Sequence, residues 1–373
     1  MFRPTAAGGS IAGMTDPHLR AADAYAYELP DELIAQEPLA DRAAARLLVV
    51  NRAAGTLAHR SIRDLPGLIQ PGDLVVVNDT KVVPARLIGR REQTGGRWEG
   101  LFLSRADGGA EPGAWVVLAQ TRGRPALGER IVLIDREGGD AERLELVGRA
   151  DGGAWLARPS GTAAAEPPEQ LLARVGRVPL PGYIRGGEEH AGDLDRYQTV
   201  FARVAGSAAA PTAGLHFTPE IFAALAARGV ERAEVTLHVG LGTFRPITAD
   251  TLDAHVMHSE WCTCPAETVA AVERTRRRGG RVVAVGTTAV RTLETAARGG
   301  TLSPWQGTTD LFITPGFPFR AVDALLTNFH MPRTTLMVLV SALASRELVM
   351  RAYAEAIRER YRMLSYGDAM LIL

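Results

Sequence analysis

Four short stretches of this chain place proton-moving side chains beside small residues that would admit a ligand. In Pro211-Thr212-Ala213-Gly214-Leu215-His216-Phe217, small residues let backbone amides come close to a bound group, and Thr218 and Pro219 then open a helix. A helix start favours an anion, and His216 would stand at its mouth. Val285-Gly286-Thr287-Thr288 reads as a strand-to-helix turn whose two hydroxyls either hold a carboxylate or phosphate or simply cap the helix. Residues 323–332 (DALLTNFHMP) end a strand in Asn328, Phe329 and His330. Ligands of open α/β sheets sit at the carboxyl ends of strands, so His330 is expected near the Gly286 turn. The fourth stretch holds His255, His258, Glu260, Cys262 and Cys264. Its spacing is not a standard zinc signature, and no metal is expected. His258 and Glu260 are candidates for proton transfer without metal, against the plainer reading of a polar strand entry with satisfied histidines.

Other stock signatures are absent. No Gly-Lys pair exists for a phosphate-binding loop, Gly240-Leu241-Gly242 has Arg245 where a third glycine would stand, and no His-Glu-x-x-His occurs. Asn78-Asp79-Thr80-Lys81 and Pro84-Ala85-Arg86 carry charges that either touch a polyanion or belong to a solvated turn. Lys81 is the only lysine among 42 basic residues, in a chain of 373 residues with formal net charge zero. That balance does not announce a nucleic-acid binder, so any contact with RNA must be local.

The elements that would position these groups fall into two textures. Residues 81–158 carry about six short apolar runs separated by glycine pairs such as Gly95-Gly96 and Gly138-Gly139, the pattern of a small antiparallel β-barrel. Residues 25–80 and 159–373 alternate strand-like runs (46–51, 74–78, 231–238, 281–285, 311–313, 323–326) with helix-like ones (219–228, 265–278, 288–297, 334–344, 347–360). This predicts an α/β catalytic domain with a mostly parallel sheet into which the barrel is inserted. Residues 159–168 read as a linker. Residues 1–24 read as a disordered tail, with Met14 as an alternative start. No run reaches the roughly 20 apolar residues of a membrane span, and no secretory segment is apparent. Two cysteines one residue apart point to a reducing cytoplasm.

Taken together and in order, these stretches resemble one family. Residues 197–218 (YQTVFARVAGSAAAPTAGLHFT), 235–244 (VTLHVGLGTF), 257–261 (MHSEW), 285–292 (VGTTAVRT), 323–332 and 365–370 (SYGDAM) are similar to the S-adenosylmethionine:tRNA ribosyltransferase-isomerases of queuosine synthesis, over residues 27–373. The sequence departs from that pattern at Ala43-Ala44-Ala45 between two arginines, at Gly182 and at Phe201. The resemblance implies an α/β domain with a small barrel. It also implies transfer of the ribosyl group of S-adenosylmethionine to 7-aminomethyl-7-deazaguanine at the tRNA wobble position, giving epoxyqueuosine-tRNA, adenine and methionine. S-adenosylmethionine is then a consumed substrate, no cofactor is implied, and a monomer without membrane contact is expected.

Such chemistry needs a base for a C5′ proton of the donor, an acid for departing adenine, a pocket that tolerates a cation, and an anion seat. His216, His258 and His330 are the candidates for proton transfer, with Glu260 as orienter or base. Thr212, Gly214, Gly286, Thr287, Thr288 and Asn328 would line the substrate pocket. Phe217, Phe244 or Phe329 would face the sulfonium. Arg46, Lys81, Arg86 and Arg291 are the candidates for RNA phosphate. Two rival readings remain: a tRNA methyltransferase, which would release S-adenosylhomocysteine, and a non-catalytic RNA binder, which would need aromatic platforms on the barrel beyond Trp98, Phe102, Trp115 and Trp155.

Overall fold

The computed structural model describes residues 17–106, 111, 113–161, 166–240 and 246–373. Its centre is a sheet whose middle strands are apolar at nearly every position. Leu74–Asn78, Val282–Val285 and Ala324–Asn328 are buried throughout, because both faces are covered. Leu74, Val76, Val282 and Ala284 face one core with the helices Ala266–Arg277, Thr287–Ala296, Thr335–Ala344 and Arg346–Arg358. Val75, Val77, Val283 and Val285 face a second core that includes the helix Pro219–Ala227. Thr218 caps that helix by accepting from the Ile221 amide, with Pro219 in its first turn.

The sheet has nine strands in the order 305–309, 260–264, 231–237, 74–78, 282–285, 324–328, 369–372, 46–51, 56–61. It is mixed, which corrects the expectation of a mostly parallel sheet. Four neighbouring pairs are parallel and four antiparallel. The parallel centre follows from helical crossovers. Three of the four antiparallel pairs come from strands not anticipated: Thr56–Ser61 by a hairpin, Trp305–Thr309 at the far edge, and the carboxyl-terminal Ala369–Ile372, wedged between 324–328 and 46–51; the fourth joins Glu231–Leu237 to Glu260–Cys264. Residues 311–313, expected as a strand, form none; pairing with Glu260–Cys264 falls instead on 305–309.

The barrel is closed. Six antiparallel strands run from Arg86–Arg91 round to Arg130–Ile134, which pairs back onto Arg86–Arg91. Its interior is filled by Trp98, Trp115, Trp155, Ile131, Leu133 and Leu144. Gly100 makes room there, since a Cβ would lie 2.2 Å from the Trp98 ring. The helix Pro168–Val175 plugs the barrel with Leu171, Leu172 and Val175, and Gly176–Arg177 pairs with the first barrel strand. The barrel unit therefore runs on to Arg177 rather than ending at residue 158.

Of the expected tail, residues 17–24 are not disordered. Pro17–Arg20 and Ala22–Tyr25 form tight helical turns. Ala22 and Tyr25 are fully buried in the main core, and the Ala22 amide donates to the Asp250 carbonyl. Small alanines flanking one aromatic lacked the periodicity that would have revealed this packing. Residues 1–16 lie outside the described residues.

Candidate active site

The carboxyl ends of Val282–Val285 and Ala324–Asn328 meet the tight helical turn Thr212–His216 in one crevice. Thr212 Oγ1 donates to Asn328 Oδ1 at 2.9 Å, and Asn328 Nδ2 donates to the Leu364 carbonyl at 3.2 Å. A carbonyl only accepts, so Nδ2 is fixed as the donor, and its second contact, to His216 Nε2 at 3.4 Å, leaves that ring nitrogen as an acceptor. His216 is thus a neutral imidazole with its proton on Nδ1. It is 5 % exposed, and burial, then the charges of Arg42 and Arg362, push it down to about 4. His330 sits on the other side of the strand end. Its Nε2 pairs with Thr327 Oγ1 at 2.9 Å, Tyr27 and Tyr353 hold its backbone, and burial pushes it down to about 3.

Gly286 opens the helix Thr287–Ala296 at φ +86°, a conformation that favours glycine, and its amide donates to the Leu326 carbonyl at 2.8 Å. Thr288 Oγ1 accepts from Asn78 Nδ2 at 3.1 Å, whereas the Thr287 hydroxyl has no partner among the described residues. Two adjoining cavities share Thr212, Asn328, His330 and Leu336. One is lined by Ala210–Ala213, Val239 and Gly286–Thr288; the other reaches Tyr183, Met331 and Ser365. Tyr183 and Ser365 pair their hydroxyls at 2.8 Å, and burial holds the Tyr183 phenol up at about 12. Neither Tyr183 nor Asn78 carried a sequence signal for this place, since long-range packing alone brings them here.

Several expected residues go elsewhere. His258 is exposed, and its neighbour His255 sits edge-on to Phe312, so this pair lies away from the cavities. Glu260 and Arg291 form an ion pair in the core, 5 % and 1 % exposed. Glu260 also accepts from the Gly240 amide at 2.8 Å, and Arg291 donates to the carbonyls of Leu311 and Thr309. Arg291 therefore does not face RNA, because its guanidinium is spent inside. Arg46 donates to the Glu359 carbonyl at 2.7 Å and stacks 3.7 Å over Tyr361. Arg86 pairs with Glu99 at 2.8 Å and with the Gly187 carbonyl. Of the four candidate phosphate contacts, Lys81 alone stays exposed on the short strand Thr80–Val82.

The phenylalanines are also committed. Phe217 stacks on Phe222 at 4.8 Å within the second core. Phe329 packs its ring against Tyr353 and Tyr361. Phe217 thus lies within the core, Phe329 lines the cavity beside His330, and Phe244 lies outside the described residues. Gly214 serves packing rather than ligand approach: a Cβ there would lie 2.6 Å from Phe201 and 2.9 Å from Thr199. Cys262 and Cys264 are buried thiols, which burial raises to about 11 and about 12. Among the described residues no group of His, Cys, Asp and Glu is arranged to hold a metal. No described helix is long and apolar enough to cross a membrane.

A mixed sheet covered on both faces, a closed barrel set beside it and a polar crevice at strand ends define a two-domain enzyme scaffold. The model of the queuosine biosynthesis protein family matches residues 22–372. An S-adenosylmethionine:tRNA ribosyltransferase-isomerase from Symbiobacterium thermophilum is 52 % identical, over 95 % of this chain and 100 % of that protein. A protein of the same name from Stenotrophomonas maltophilia is 51 % identical, over 93 % of this chain and 97 % of that one. The crystal structure of an S-adenosylmethionine tRNA ribosyltransferase from Thermotoga maritima superposes with a TM-score of 0.53 at 38 % identity, covering 94 % of this chain and all of that one. The chain belongs to the queuosine biosynthesis protein family and is an enzyme of its transferase–isomerase type.

Proposed function

We propose that this enzyme moves the ribosyl group of S-adenosylmethionine onto 7-aminomethyl-7-deazaguanine at the wobble position of tRNA and isomerises it, giving epoxyqueuosine-tRNA with release of adenine and methionine. The observation that carries the reading is the crevice itself. One neutral histidine, His330, a fixed amide that also holds His216 from behind, and a glycine-opened helix start with a free hydroxyl converge on adjoining cavities. The sulfonium acidifies the C5′ protons, and His330, a neutral imidazole that lines both cavities, takes one. Proton delivery assists adenine as it leaves, the neutral acceptor amine attacks the sugar, and a sugar oxygen displaces methionine to close the epoxide. Gly286, Thr287 and Thr288 seat the methionyl carboxylate at the helix start. On this reading the enzyme acts as a cytoplasmic monomer, and S-adenosylmethionine is consumed rather than recycled as a cofactor.

Product analysis tests the proposal. Labelled donor and precursor tRNA incubated with the enzyme should yield free adenine and methionine in equal amounts. Release of S-adenosylhomocysteine instead would establish a methyltransferase. The non-catalytic reading has less support, since Trp98, Trp115 and Trp155 fill the barrel interior and offer no platform to a base.

A further inference from the structure

The segment Asn78-Asp79-Thr80-Lys81 is not a solvated turn. Its first three side chains are at most 1 % exposed, and Lys81 alone faces out. Asp79 accepts from the Thr236 hydroxyl at 2.6 Å and from Arg203 at 2.6 Å, and Thr80 pairs with His238 Nδ1 at 2.8 Å. These contacts tie the segment to its neighbours. Asn78 also reaches the start of the helix Thr287–Ala296.

The Asn78 amide can take only one orientation. Its Oδ1 accepts from the backbone amides of Leu237 at 3.0 Å and Thr80 at 3.2 Å, and a backbone amide only donates. Its Nδ2 therefore gives one proton to the Leu237 carbonyl at 3.0 Å and the other to Thr288 Oγ1 at 3.1 Å. Thr288 Oγ1 is thus an acceptor on that side, and its own proton is left to donate. No acceptor for that proton occurs among the described residues. Thr287 and Thr288, each 6 % exposed, line the cavity beside Gly286, and Asn78 stands behind them without lining it. A Cβ at Gly286 would lie against Thr288 Oγ1 at 3.6 Å, so glycine leaves that hydroxyl uncovered.

The cavity is about 40 Å³, against roughly 10–15 Å³ for one water, so it takes the two oxygens of a carboxylate and not a nucleoside. Two hydroxyl protons at the positive end of a helix match a group that only accepts. We propose that Asn78 is a positioning residue: by donating to Thr288 Oγ1 it commits that hydroxyl to donate to the methionyl carboxylate. The enzyme thereby selects S-adenosylmethionine over sulfonium compounds that lack the carboxylate. The assignment rests on the ribosyl-transfer reading above, and adds to it the residue that sets the polarity of the anion seat.

Calorimetric titration of the full chain with S-adenosylmethionine and with its decarboxylated form tests this. The parent should prefer S-adenosylmethionine by about 100-fold, as expected when hydrogen bonds to a charged group are lost. Thr288→Val and Asn78→Ala should each reduce that preference about 10-fold, with affinity for the decarboxylated form held within about two-fold. The two changes together should cost no more preference than Thr288→Val alone, because Asn78 acts through that hydroxyl. Thr288→Ser, which keeps the hydroxyl, should restore the preference. Asn78→Ser, too short to span to Thr288, serves in place of Asn78→Ala if the melting temperature shows the latter unfolded. A merely structural Asn78 would weaken both ligands alike, and that result overturns the proposal. So does an Asn78 variant that keeps the full preference, or a parent that binds both forms equally; none of these touches the ribosyl-transfer reading. A parent that does not bind S-adenosylmethionine at all overturns both.

Discussion

A histidine that takes a proton from carbon must be neutral when substrate arrives. His216 and His330 are both held neutral, by burial above all. His330→Gln should lower single-turnover rates by about 10²–10⁴-fold, while His258→Ala should stay within a few-fold of the parent. Kinetics at saturating donor and tRNA, with melting temperature measured alongside, decides between them. The same burial makes a stability prediction. Both histidines sit below the ordinary value near 6.5, so between about 4 and 6.5 the unfolded chain binds protons that the folded chain refuses. Stability should therefore rise with pH through that window, by on the order of 3 kcal/mol for His216 alone. Urea titrations at pH 4.5 and 7 should show the rise, and His216→Gln should flatten it. The Glu260–Arg291 pair makes a separate case. Removing one partner of a buried ion pair leaves the other uncompensated, so Glu260→Gln should cost about 3–5 kcal/mol in urea denaturation. An effect on turnover without loss of stability would instead restore Glu260 to the proton-transfer machinery.

At the scale of elements, the turn Thr212–His216 is positioned from beneath. Gly214 lets the Phe201 ring and the Thr199 methyl close under it, and Thr212 ties its start to the strand end at Asn328. Gly214→Ala would drive a Cβ to 2.6 Å from Phe201, an overpacking expected to cost about 1–3 kcal/mol and to displace His216 with it. Differential scanning calorimetry gives the first quantity and the His216 ring signal the second. A variant as stable as the parent, with that signal unmoved, would show that Phe201 yields instead. Phe201 is one of the positions at which this sequence departs from the resembled family's pattern. The ring serves here as packing, against Phe217 and Phe222.

For the molecule as a whole, zero net charge means that an RNA partner must be held by a few placed cations rather than by a general field. Arg46, Arg86 and Arg291 are already bound within the protein, and Lys81 is the exposed member of the candidate set. Lys81→Ala should weaken tRNA binding and reduce the slope of log affinity against log salt by about 1, leaving donor affinity unchanged. Filter binding over a salt series measures the slope. An unchanged slope would move the phosphate contact elsewhere.

What the sequence by itself determined is what local pattern can encode. Apolar runs such as 74–78 and 281–285 read as strands, and the glycine-spaced runs after residue 81 read as a small antiparallel barrel. The ordered motifs were specific enough to identify the family. The turn at Gly286 and the strand end at Asn328 were legible as neighbours in one crevice, because strand ends of such a sheet open together. Only the tertiary structure decided the partners. Arg291 and Glu260 lie 31 positions apart and look exposed or catalytic one at a time; in the fold each is the reason the other can be buried. The strand Ala369–Ile372 is four residues long, and its direction is set by its neighbours rather than by its own side chains. The protonation of His216 follows from a single amide whose orientation is fixed by a carbonyl at Leu364, a long-range contact that no local pattern can specify.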